Sequence, residues 1–171
     1  MARVLADGKT KFTVLTTAPA DPAAPTATEL NAGIDLSCDI LSSDFTWTPT
    51  ASDTVDEKAL CATGNSTVFG SSNYDLGLTL WRQFDPTTGA PDTASEPGWA
   101  ALKEKGTTVW AYARETGKDS TEDWAAGDEI YLGGEVVTDL PARTDGTGFI
   151  KRRIVLGAQR MYDNIEVAAA A

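Results

Sequence analysis

Apolar and polar residues alternate with a period of two along most of this chain, and only one stretch of any length carries helical spacing. The clearest strand is 73–84. Tyr74, Leu76, Leu78, Leu80, Arg82 and Phe84 point one way, and Asp75, Gly77, Thr79, Trp81 and Gln83 point the other. Such half-apolar alternation marks an antiparallel strand with one face on a core. Shorter runs predict strands at 11–16, with Phe12 and Val14 on one face after the Asp7-Gly8 turn, and at 55–61, 107–114, 128–137 and 148–157. Gly133-Gly134 interrupts the run at 128–137 as a tight hairpin turn or a bulge.

Two helices are expected. In the longer, Ser95 is the N-cap, Glu96 and Pro97 fill the first turn, Gly106 is the stop, and Trp99 and Leu102 share a side. The shorter starts at Thr26, three residues before Glu29, the spacing of a capping box. Gly33 then ends it as a left-handed residue, and Ile34, Leu36 and Cys38 alternate with Asp35 and Ser37 as a strand. Residues 18–25 form a flexible Pro/Ala-rich linker, 42–54 a polar loop holding Phe45, Trp47 and Pro49, and 166–171 a frayed tail. Strands dominate without alternating with long helices, which argues against a parallel doubly wound sheet. The expectation is a mainly β single domain over 1–171, a β-sandwich or partly closed β-barrel with one flanking α-helix.

Composition narrows the chemistry. A chain of 171 residues buries roughly 70% of its unfolded surface, so it needs neither disulfide nor metal for stability. Its 25 acidic and 14 basic side chains give a net charge of −11, a surface that repels polyanions. Arg3 and Asp7 interrupt the start of the chain, so no signal peptide is expected, and no stretch approaches the ~18 apolar residues of a membrane span. The two cysteines, Cys38 and Cys61, sit in strand-like contexts and are expected as buried thiols of a protein made in a reducing cytoplasm, the alternative being a disulfide between them. Histidine is absent, which excludes Ser-His-Asp and Cys-His catalysis, histidine metal sites and histidine pH switching.

Carboxylates are the remaining candidates for chemistry. Asp53, Asp56 and Glu57 form one acidic cluster, and Asp119, Glu122, Asp123, Asp128 and Glu129 a second. Both lie in polar, turn-rich sequence where solvation is easy, and the second lacks the glycine and final glutamate of a calcium loop. Gly146-x-Gly148 precedes a strand, so it reads as a turn instead of a phosphate cradle. Asn65-Ser66-Thr67 matches a glycosylation acceptor, which has no meaning without export. Lys151, Arg152 and Arg153 are the one basic run. Lys151 and Arg153 would share a strand face with Phe149 and Val155, and Arg152 would join Ile150 and Ile154. That run is either an exposed strand face or a patch complementary to an acidic neighbour. Of five tryptophans, Trp47 has the fewest local partners and is a candidate anchor between subunits, the alternative being a loop packed on its own domain.

Three segments, ARVLADGKTKFTVLTT, TATELNAGIDLSC and WAAGDEIYLGGEV, resemble in wording and order the major tail (tail tube) proteins of long-tailed bacteriophages. The resemblance implies a structural virion protein without cofactor. Its subunits would form rings, hexameric in this family, stacked into a tube through which DNA passes without specific binding. Partners would be further copies and other tail proteins such as the tape measure and tail terminator, with no membrane involved. Candidate interface residues are Phe45, Trp47, Lys151 and Arg153, and candidate lumen or surface acids are Asp53, Asp56, Glu57 and Asp75. Two other classes stay open, a carbohydrate-binding β-sandwich using exposed tryptophans and a carboxylate-dependent hydrolase.

Overall fold

The computed structural model describes residues 3–144 and 146–169. Among the described residues there are ten strands: β1 (Thr10–Leu15), β2 (Ile34–Asp35), β3 (Thr46–Thr50), β4 (Thr54–Glu57), β5 (Ser66–Phe69), β6 (Asn73–Trp81), β7 (Thr108–Glu115), β8 (Glu129–Thr138), β9 (Ala142–Arg143) and β10 (Lys151–Glu166). The helices are α1 (Ala27–Asn31) and α2 (Pro97–Leu102), with a 3-10 turn at Ser42–Asp44. Except for a separate β4–β5 hairpin, the strands form one antiparallel system in the order β2-β1-β7-β8-β10-β6-β3, with β9 also on β10. The fold is mainly β, as the strand-dominated pattern predicts.

Strand β10 makes this a sandwich. Its first part, Lys151 to Val155, pairs with β6, and its remainder, from Leu156 to Glu166, pairs with β8. One strand thus passes from one half-sheet to the other, and the halves close over a shared core of Phe12, Leu36, Trp47, Leu78, Leu132 and Ile154. At the crossing the register shifts between Ala158 and Arg160, so Gln159 is an extra residue that bends the strand. A second cluster of Leu15, Leu30, Tyr112, Trp124, Ile130 and Val167 fills the opposite face beneath α1.

The glycine pair of β8 belongs to this bend. Neither turns the chain. Gly133 lies flush under Tyr112, whose Cδ1 would sit 2.3 Å from an added Cβ. Gly134, at φ +150, faces the bulge, where the carbonyl oxygen of Arg160 would sit 2.1 Å away. The bulge expected here is therefore on the partner strand.

Several local expectations change in the same way. The capping box of α1 is present, Glu29 N donating to Thr26 Oγ1 (3.3 Å) and Thr26 N to Glu29 Oε2 (2.8 Å). Gly33, however, is not left-handed. It is small because Leu15 Cδ2 would lie 2.4 Å from a Cβ, where the end of α1 crosses β1. Helix α2 starts from Glu96, not Ser95, whose hydroxyl turns to Asp92 (2.8 Å). The 42–54 region contains β3, an outer strand that tolerates Pro49 because no strand among the described residues pairs beyond it.

Both cysteines are free and exposed, which corrects the expectation of buried thiols. Cys38 stands in a turn after β2 stops short, and Cys61 in the connection between β4 and β5. Residues 18–25, expected as a linker, contact the body through Ala20 N to Glu29 Oε1 (2.8 Å) and Tyr112 Oη to the Pro22 carbonyl (3.1 Å). In the expected tail, Val167 is buried and Ala168 N donates to the Pro25 carbonyl (3.0 Å). Residues 170 and 171 of that tail lie outside the described residues, as does Asp145 of the turn before β10.

Candidate assembly surface

The β4–β5 hairpin has almost no local reason to stand alone. Thr54 pairs with Phe69, Val55 with Val68, Asp56 with Thr67 and Glu57 with Ser66, and all eight residues are exposed. A lone two-stranded hairpin is marginal in water. This one is anchored at its base, where Asp53 N donates to the Ser71 carbonyl (2.9 Å) and Asn73 Nδ2 to Asp53 Oδ1 (3.0 Å). Beyond that point it is an arm presenting Val55, Leu60, Val68 and Phe69 to solvent. Sequence reading placed a strand near 55–61 and missed its partner, because β5 holds only the apolar pair Val68-Phe69 between polar turns.

A second group of exposed apolar side chains lies at the corner between β8 and β10: Leu140, Phe149, Ile150 and Val155. Here Arg143, Phe149, Ile150 and Arg152 line a cleft of about 400 Å³. Arg152 and Arg143 are direct cross-strand partners. The third open feature is the long edge of β10. From 157 to 166 it pairs with β8 on one side, and among the described residues no strand pairs with its other side.

The candidate residues divide between the interior and these surfaces. Trp47 is only 3% exposed. Its Nε1 donates to the Leu132 carbonyl (3.0 Å), and its ring meets Phe12 edge-on at 4.8 Å. Phe45, half-buried, meets Phe12 at 5.2 Å. Trp47 is thus a core residue of its own subunit, with no free face for a neighbour. Arg153 pairs with Asp44 (3.3 Å), donates to Thr46 Oγ1 (3.1 Å) and lies over Gly77. Lys151 donates to the Thr147 carbonyl (3.2 Å). Asp53, Asp56 and Glu57 sit on the arm or its base, and Asp75 is exposed on β6.

The second acidic cluster is organised by a residue the sequence reading passed over. Arg114 is fully buried and pairs with Asp128 (2.8 Å), whose other oxygen takes Lys118 (2.5 Å). Burial would raise the Asp128 pKa, but hydrogen bonds from Lys118, Ala125 N and Arg114 outweigh it and hold the carboxyl below its ordinary value. Asp39 is shifted the other way, by burial and by the nearby Asp35 charge. The cleft beside it has only about 10 Å³, no room for a substrate. Among the described residues no group of three or more Cys, Asp or Glu side chains is placed to hold a metal ion. Of the tryptophans, only Trp81 reaches 36% exposure, which leaves a single ring for stacking on a sugar.

A mainly β subunit with most of its large exposed apolar side chains gathered on an arm and a corner, and with a long β10 edge left unpaired among the described residues, has the surface of a self-assembling structural protein. The chain belongs to the phage tail tube protein family, whose sequence model matches residues 1–171. Membership makes it a structural subunit of the virion tail, assembling into a tube with other tail proteins. No curated protein matches the chain.

Proposed function

We propose that the subunits close into rings, hexameric as the family resemblance implies, and that the rings stack into the conduit through which DNA is ejected. The observation that carries this reading is the unpaired edge of β10. A long open edge is a template for another strand. In a ring each subunit offers this edge to its neighbour, and closure leaves no β10 edge exposed. The bore repels the phosphate backbone through the acid excess of the chain. At physiological salt that repulsion reaches about 8 Å, so only acids on the bore itself contribute, with Asp75 a candidate. The tape measure and tail terminator proteins are the expected partners inside and at the end of the tube.

The test is negative-stain electron microscopy of the concentrated chain, with mass measured in parallel. Rings or tubes of uniform diameter are expected. A chain that stays monomeric, even with tail initiation proteins added, overturns the proposal.

A further inference from the structure

The large exposed apolar side chains are distributed unevenly. Of the eleven among the described residues, four (Val55, Leu60, Val68, Phe69) are on the arm and four (Leu140, Phe149, Ile150, Val155) are at the corner. Apolar groups concentrated in this way mark surfaces that other chains cover. The two surfaces carry opposite charge. The arm and its base hold Asp53, Asp56 and Glu57 against a single lysine, Lys58. The corner holds Arg143 and Arg152.

Those two arginines are opposed where repulsion is greatest. Like charges directly across an antiparallel pair destabilise it. Among the described residues neither forms an ion pair. The described hydrogen bond of the Arg152 side chain goes to the carbonyl of Lys151 (2.9 Å). The cleft between them therefore favours an anion.

The arm has a matching pattern. Glu57 shares a hairpin face with Val55 and Val68, and makes no described hydrogen bond, whereas Asp56 on the other face accepts from Thr67 Oγ1 (2.6 Å). Residues two apart on a strand are about 6.5 Å apart on one face. Val55 and Glu57 have this spacing on the arm. Ile150 and Arg152 have it at the corner, where Arg82 N still pairs with the Ile150 carbonyl (2.8 Å).

We propose that the arm of one subunit docks on the corner of a second copy, Glu57 entering the cleft between Arg143 and Arg152 while Val55 and Val68 cover Ile150 and Phe149. This rests on the reading of the chain as a self-assembling tube subunit and names the contact that joins two copies. Docking gives the arm the apolar cover it lacks and relieves the diarginine repulsion.

Three chains test it by electron microscopy and sedimentation: wild type, Glu57→Arg, and Arg143→Glu with Arg152→Glu. Circular dichroism checks that the variants fold, which is expected because the altered side chains are exposed or half-exposed. Each variant alone should need more than about tenfold higher concentration to assemble, since it sets like charges against each other at a contact. Mixing the two variants should restore assembly, because the reversed arm then meets the reversed corner. Normal tubes from either variant, or a mixture that fails to assemble, overturns the docking while wild-type tubes leave the tube reading intact. A corner variant that assembles normally but loses binding to a labelled oligonucleotide also overturns it, assigning the cleft to phosphate. A wild-type chain that stays monomeric overturns both readings.

Discussion

Replacing Arg114 with methionine removes the group around which residues 119–128 are arranged. The guanidinium donates from Nη1 to the Asp123 carbonyl (3.1 Å) and Asp128 Oδ2 (2.8 Å), and from Nη2 to the carbonyls of Asp119 (2.9 Å) and Glu122 (3.0 Å). It also lies 5.2 Å from the centre of the Trp124 ring. Removing one partner of a buried ion pair costs about 3–5 kcal/mol. The lower end applies here, because Lys118 and Ala125 N still cover Asp128 and the three carbonyls lie in a loop that water reaches. At about 3 kcal/mol, and about 2–4 °C per kcal/mol for a chain this long, Tm falls by about 6–12 °C. Calorimetry of the chain held dilute and unassembled measures this directly. Hydrogen exchange should show the loss concentrated between 119 and 125. A Tm within about 2 °C of wild type would refute the reasoning, since the loop would then hold together without its central cation.

Three further outcomes follow from the packing. Trp47→Phe keeps most of the ring volume but leaves the Leu132 carbonyl without its donor, so urea unfolding of the unassembled chain should show a loss of about 1–3 kcal/mol; no loss would mean that Trp47 is not held in the core. Gly134→Ala should destabilise by about 1–3 kcal/mol, because the new methyl meets backbone of β10, which cannot swing aside as a side chain can; a neutral result in thermal melts would refute the close approach. The pH dependence follows from Asp128, Asp35 and Glu96. For each, burial favours the neutral acid but hydrogen bonds outweigh it, chiefly Lys118 for Asp128, Lys11 for Asp35 and Arg82 for Glu96, so all three have lowered pKa values. Their stabilisation is fully present above the ordinary carboxylate range of about 4 and is lost as pH falls through the lower folded values. Tm should therefore hold from pH 7 to about 5 and drop below about 4, more shallowly in Arg114→Met; a rise in Tm on acidification would contradict the signs.

What the sequence disclosed depended on whether a segment repeats one pattern over several residues. The Leu76, Leu78 and Leu80 ladder, the Thr26–Glu29 box and the strand-dominated class were all legible for that reason. Strand β3 was not, because among TWTPT only Trp47 points into the core and Pro49 reads as loop unless the strand is known to be outermost. Strand β10 was legible only to its middle. Gln159 shifts the alternation there, and beyond it Met161 and Ile165 are the apolar residues left to mark an inward face.

The basic run shows most clearly where pattern reading stops. Alternation correctly separates Lys151 and Arg153 from Arg152, but it cannot say which side of the strand has partners. In the folded chain Arg153 is engaged by Asp44 and Thr46, in the same way that Lys11, Arg82 and Arg114 are taken up by Asp35, Glu96 and Asp128. Four of the fourteen basic side chains are thus taken up within the subunit, each neutralised by its own carboxylate, so the surface left for contacts between copies keeps the whole net charge of −11. Two such surfaces repel on approach, so a contact between copies has to bring its own cation. Arg143 and Arg152 meet that requirement, and only the pairing of β9 with β10 reveals it. The two are nine positions apart in a sequence that gives no sign they face each other.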